Sequence, residues 1–150
     1  MKIFSKFIDD IYVDNEDMLI DIVKGMSNLA SHPEVTFINV AAGPEEIIDV
    51  VLRLLQHKNE RIFSPMVKYV GGIMNSDNTV LTSAYLEKGV LEQLGSILFS
   101  SNSSTVKEAL WGFSNVLGNY SEDQKYQEAF INCSAVSRVL MLANSKSADL

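Results

Sequence analysis

The stretch Ser104–Asn119, STVKEALWGFSNVLGN, lines up without gaps with two earlier segments, Asp17–His32 (DMLIDIVKGMSNLASH) and Arg61–Ser76 (RIFSPMVKYVGGIMNS). The offsets are 44 and 43 residues. Apolar residues in each copy recur at the i, i+3, i+4, i+7 spacing of one helix face. Shorter segments recur between the copies. FINVAAG, YLEKG and FINCS each end a short helical pattern, and a longer one follows in PEEIIDVVLRLLQHK, VLEQLGSILFSSN and AVSRVLMLANS. The opening FSKFIDDIYVDN aligns with LEQLGSILFSSN as one more copy of that longer helix. Gly, Pro, Asn and Ser cluster at the breaks SHPE, AAGPEE, MNSDN, EKG, SSNSS and GNYSED. Pro44, followed by Glu45 and Glu46, suits the first turn of a helix. No segment alternates as a strand does.

A period of about 40–47 residues with three helices per unit is the armadillo/HEAT range. One such unit cannot bury its apolar face alone, so neighbours stack into a continuous core. The expected fold is an all-α solenoid with two complete and two partial repeats. Their expected bounds are 1–32, 33–76, 77–119 and 120–150. A four-helix bundle competes, but it does not account for three gapless alignments. Neither end carries an obvious polar cap, so the expectation is a segment of a longer solenoid or a chain capped by a partner.

Composition bounds the function. A chain of 150 residues with 47% apolar and 21% charged residues fits one globular domain. Its net charge of −7 disfavours direct nucleic-acid binding, which needs a basic surface to neutralise phosphates. No run approaches the ~20 apolar residues of a membrane span. The N-terminal MKIFSKFIDDIYVDNED carries acids where a secretory signal needs an apolar run. The single cysteine, Cys133, excludes an internal disulfide and fits a reducing compartment, so cytosol or nucleus is expected. Cys133 has no nearby His partner in sequence, and it stands where a small residue precedes the next helix. His32 and His57 have no partner at ligand spacing and read as surface residues. The acidic cluster DDIYVDNED reads as a solvated face and helix-dipole matching. No nucleotide, nucleophile or zinc motif is present, so neither an enzyme nor a cofactor is expected.

The alignment places side chains in rows. Lys24, Lys68 and Trp111 form one row, and Asn28, Gly72 and Asn115 form the row one turn later. Asp21 and Glu108 stand one turn before Lys24 and Trp111. Alone, Trp111 reads as a core residue; in register with its counterparts it reads as a surface contact.

The segments KEALWGFSNVLGN and PMVKYVGGIMNSDNTVLTSAYLEKGVLEQLGSIL resemble armadillo repeats, most closely those of the importin alpha family. The resemblance is strongest from Pro65 to Phe130. It implies a right-handed superhelix whose third helices line a concave groove for an extended Lys/Arg-rich peptide of the nuclear-localisation type. Trp111 and Glu108 would take a basic side chain, and Asn28 and Asn115 would clamp the peptide backbone, with Asp21 a further acid. An indole face attracts a cation and packs its methylene stem, worth about 0.5–2 kcal/mol. A carboxamide both donates and accepts. Partners implied are a basic peptide, an import receptor or further repeats of a longer chain.

The sequence departs from that pattern. Lys24 and Lys68 occupy Trp positions, where a cation repels a basic side chain, and Gly72 replaces an Asn clamp. No basic N-terminal segment of the receptor-engaging kind is present. Asn28 also fits a structural role, and Lys24 fits pairing with Asp21 three residues earlier. Two alternatives follow: a scaffold whose end helices stack on another protein, and an acidic peptide held by groove cations Lys24 and Lys68.

Overall fold

In the computed structural model the described residues, 15–31, 45–133 and 135–144, form eight α-helices and no strand. For Glu45 and Glu46 only the backbone is described. In chain order the helices are α1 (Glu16–Ala30), α2 (Glu45–Leu55), α3 (Glu60–Met74) and α4 (Thr79–Glu87). They continue as α5 (Val90–Ile97), α6 (Ser103–Asn119), α7 (Gln124–Asn132) and α8 (Ala135–Ala143). The copy read in Phe4–Asp14, the FINVAAG segment, Pro44, His32 and the expected boundary at 32/33 lie outside the described residues.

The three aligned segments are α1, α3 and α6, and each starts on an asparagine. The side-chain oxygens of Asn15, Asn59 and Asn102 accept from the N–H groups of Met18 (3.1 Å), Arg61 (2.9 Å) and Thr105 (3.2 Å). These caps are themselves 44 and 43 residues apart, the offsets of the alignment. Each satisfies an orphan N–H of the first turn and stabilises the helix by about 1 kcal/mol. Asn78 and Asp123 cap α4 and α7 in the same way. Between α4 and α5 the chain turns at Gly89, whose φ of 83° is the left-handed conformation that glycine adopts without a Cβ clash.

Packing follows the rows. Helix α3 is sandwiched between α1 and α6, so the three capped helices form one layer. Helix α2 lies against α3, α5 against α6, and α8 against both α5 and α7. The layer turns Leu19, Val23, Ile62, Val67, Val70, Val106 and Ala109 inward, all buried. Phe113 meets Phe130 edge to face at 5.4 Å, which joins α6 to α7. Tyr69 and Tyr85 are fully buried between α3 and α4. Burial pushes the Tyr69 phenol up to about 12, so it remains a neutral hydrogen-bonding group.

The tightest approach in the layer is at Gly72. A Cβ built there would lie 2.5 Å from the carbonyl oxygen of Ala30, a backbone atom that cannot swing aside. The glycine that replaces an Asn clamp in the sequence pattern is therefore required by the seating of α1 on α3. Side chains then bond across the stack. Asn115 Nδ2 donates to Gly71 O (3.2 Å), Asn119 Nδ2 to Met74 O (3.0 Å), and the Ser64 and Thr105 hydroxyls share a bond (2.8 Å). Both carbonyls belong to the last turn of α3, where Asn119 supplies the donor that the helix itself lacks for Met74.

Gly72→Ala is expected to lower the unfolding free energy by about 1–3 kcal/mol through overpacking. Gly25→Ala, where a Cβ meets nothing within 4 Å, should stabilise α1 by up to about 1 kcal/mol. Denaturant unfolding of the two variants reads this opposition in sign; equal shifts would contradict the close approach at Gly72.

Candidate binding cleft on the third helices

The face of the layer opposite the core is polar. An open cleft of about 410 Å³ crosses it, lined by Lys24, Ser27, Asn28, Ser64, Pro65, Lys68, Ser104 and Glu108. Each of the three capped helices contributes to it, and it runs obliquely. Helix α1 supplies its lysine and asparagine rows, α3 its proline and lysine rows, and α6 a serine together with the glutamate row. The cleft therefore joins four of the residues singled out by sequence: Lys24, Asn28, Lys68 and Glu108. Asp21, one turn before Lys24, is exposed and does not line it.

Among the described residues no salt bridge within 4.0 Å involves Lys24, Lys68 or Glu108, and the expected Asp21–Lys24 pair does not form. The acid that does find a partner on α1 is Asp17, which lies 3.9 Å from Arg61 at the exposed start of α3. Lys24 is exposed, while Lys68 and Glu108 are half-buried between neighbouring helices. Pro65 has no N–H, so the helix ladder lacks its bond to the Arg61 carbonyl at the cleft wall.

Trp111 and Asn115 continue the face one and two turns beyond Glu108 on α6. Trp111 is 38% exposed, so neither a buried core position nor a fully free ring describes it. One edge of the indole rests on the α3 backbone at Gly71. A Cβ there would lie 2.6 Å from Cε3 and 2.7 Å from Cζ3 of the ring. Asn115 is half-buried, and its bond to Gly71 O uses one of its two amide hydrogens. Its second hydrogen and its carbonyl oxygen are the groups with which it would meet a ligand. Asn28 is exposed on the cleft wall.

The remaining sequence candidates lie away from the cleft. Cys133 caps α7, is buried, and donates its thiol to Phe130 O (3.0 Å); burial pushes its pKa up, away from nucleophilic thiolate character. His57 Nδ1 accepts from Asn59 N–H (3.0 Å) in the loop before α3. Among the described residues no three His, Cys, Asp or Glu side chains gather as a metal site, and no helix is long and apolar enough to cross a membrane.

Reading the sequence by rows missed Gly71, Ser27, Ser64 and Ser104. The Gly-Gly pair inside an apolar helix was the available signal for Gly71. The serines stand in different rows, and only the oblique run of the cleft brings them together.

No protein-family model and no curated protein matches the sequence. Solved structures do match. An engineered protein superposes with a TM-score of 0.77 at 19% identity, over 99% of this chain and 57% of its own length. A designed armadillo repeat protein gives 0.67 at 19% identity, over 95% of this chain and 58% of its own. A second designed armadillo repeat protein, solved in complex with the peptide (KR)4, gives 0.58 at 18% identity, covering 96% and 68%. At these identities the likeness is one of fold: the architecture is that of an armadillo-type α-solenoid. The chain spans less than three-fifths of the length of the first two.

Gly71→Ala should displace the indole from its seat. The single tryptophan makes the change readable as a longer-wavelength emission and greater quenching by acrylamide. Unchanged emission and quenching would show that Trp111 does not rest on Gly71.

Proposed function

We propose that this chain is a peptide-binding solenoid segment that holds an extended, Lys/Arg-containing ligand along its third-helix face. The observation that carries this reading is the alignment of ligand-type groups on one open face. Asn28 and Glu108 line a common cleft, and the partly exposed Trp111 follows one turn from Glu108. Third helices stack about 8–10 Å apart and an extended peptide rises about 3.3 Å per residue, so each repeat meets about three ligand residues. Asn28 and Asn115 would bond the ligand backbone. The indole of Trp111 would pack a Lys or Arg stem, with Glu108 balancing its charge. The importin-alpha resemblance of KEALWGFSN supports a ligand of the nuclear-localisation type and a place in nuclear protein import. The (KR)4 complex of a designed armadillo repeat protein supports the same ligand class.

A second reading is favoured by a different observation. At the α7–α8 end, Ile131, Leu140 and Met141 are 66%, 59% and 60% exposed. Large apolar side chains grouped at one end of a solenoid suit a stacking partner.

One titration tests the groove reading. Trp111→Ala combined with Asn115→Ala is expected to weaken binding of a Lys/Arg-rich peptide about tenfold, or about 1.4 kcal/mol. Increasing salt should weaken binding by the parent chain. A double variant that binds the peptide as well as the parent does would refute the groove reading.

A further inference from the structure

Two cations face one cleft in a chain whose net charge is −7, and neither has an acidic partner among the described residues. The intrahelical partner available to Lys24 is Asp21, and the two do not pair. Lys68 is half-buried where α1, α3 and α6 meet, so its charge is less screened than that of a fully exposed lysine. Among the described residues the rest of the cleft lining is Pro65, the hydroxyls of Ser27, Ser64 and Ser104 and the carboxamide of Asn28, with Glu108 at the α6 side. The face is thus divided by sign. Its α1–α3 part is cationic, and its α6 part carries the glutamate and the aromatic ring.

We propose that the Lys24–Lys68 part of the cleft accepts a carboxylate side chain of the bound peptide, so that the preferred ligand carries both signs: an Asp or Glu at Lys24 and Lys68, and a Lys or Arg at Glu108 and Trp111. The proposal rests on the groove reading above and adds the ligand's charge pattern. Glu108 faces the ligand's basic side chain, which leaves Lys24 and Lys68 to its carboxylate. The helix spacing sets the register. Lys68 lies one helix from Trp111 and Lys24 lies two helices away, so the acid sits about three to about six residues from the basic anchor. An all-basic peptide would place a cation against both lysines and lose affinity to that repulsion.

The test compares extended peptides that share a Lys-Arg anchor and differ only at the positions about three and about six residues away, as Glu, Gln or Lys, in both sequence orders. With the parent chain, affinity is expected to fall from Glu to Gln by about fivefold and to fall further with Lys. In Lys24→Gln combined with Lys68→Gln, the Glu and Gln peptides should bind alike while the Gln peptide keeps its parent affinity. That retained affinity also shows that the variant is folded. In Lys24→Glu combined with Lys68→Glu, the order should reverse, with the Lys peptide binding best. Equal binding of the three peptides by the parent chain would overturn the carboxylate site while leaving the groove reading intact. Failure of all of them to bind would overturn both.

Discussion

The approach of α3 to its two neighbours at Gly71 and Gly72 is the constraint on which the rest of the molecule depends. Gly72 admits the Ala30 carbonyl of α1 from one side, and Gly71 admits the Trp111 ring of α6 from the other. Adjacent positions on one helix point in different directions, so a Gly-Gly pair lets backbone or ring approach closely from both. Closeness there brings the carbonyls of the last α3 turn within reach of Asn115 and Asn119. The same closeness draws side chains of all three helices to one polar face. The cleft is a consequence of how tightly the layer stacks, and its residues stay together only while the stack is intact.

On the polar face the same side chains hold the scaffold and stay partly open to solvent. Asn115 shows this most clearly: one amide hydrogen holds α6 to α3, while the side chain stays half-exposed. Trp111 is similar, with one edge seated on Gly71 and over a third of its surface open. A group held by the scaffold loses less conformational freedom when a ligand arrives than a freely rotating one does. Lys24 and Lys68 differ in kind. Among the described residues neither has a salt-bridge partner, and their positive charge makes the α1–α3 part of the face cationic in an acidic chain.

The repeat architecture was legible because it is written twice in the sequence, as apolar periodicity within each helix and as the 44- and 43-residue offsets between copies. The asparagine caps obey the same offsets, so the helix starts could have been read from Asn15, Asn59 and Asn102 directly. The rows of Lys24, Lys68 and Trp111, and of Asn28 and Asn115, came from alignment alone. Alignment could not show which rows meet. The cleft crosses the ladder obliquely, joining Asn28 to Lys68 and Glu108 while passing Asp21 by, and that skew arises from the three-dimensional stacking. Nor could residue type show that Gly72 is a packing requirement, because a missing Cβ has meaning only beside the atom that fills its space.

The central claim is that a peptide lies along the faces of α1, α3 and α6. Nitrogen-15 NMR of the chain, titrated with a peptide that carries a Lys-Arg anchor and a Glu, tests this most directly. The account predicts that the Trp111 indole N–H and the Asn28 and Asn115 side-chain amides shift together in one saturable process, with the α7–α8 backbone unmoved. Shifts confined to the α7–α8 end around Ile131, Leu140 and Met141, with Trp111 unchanged, would contradict it.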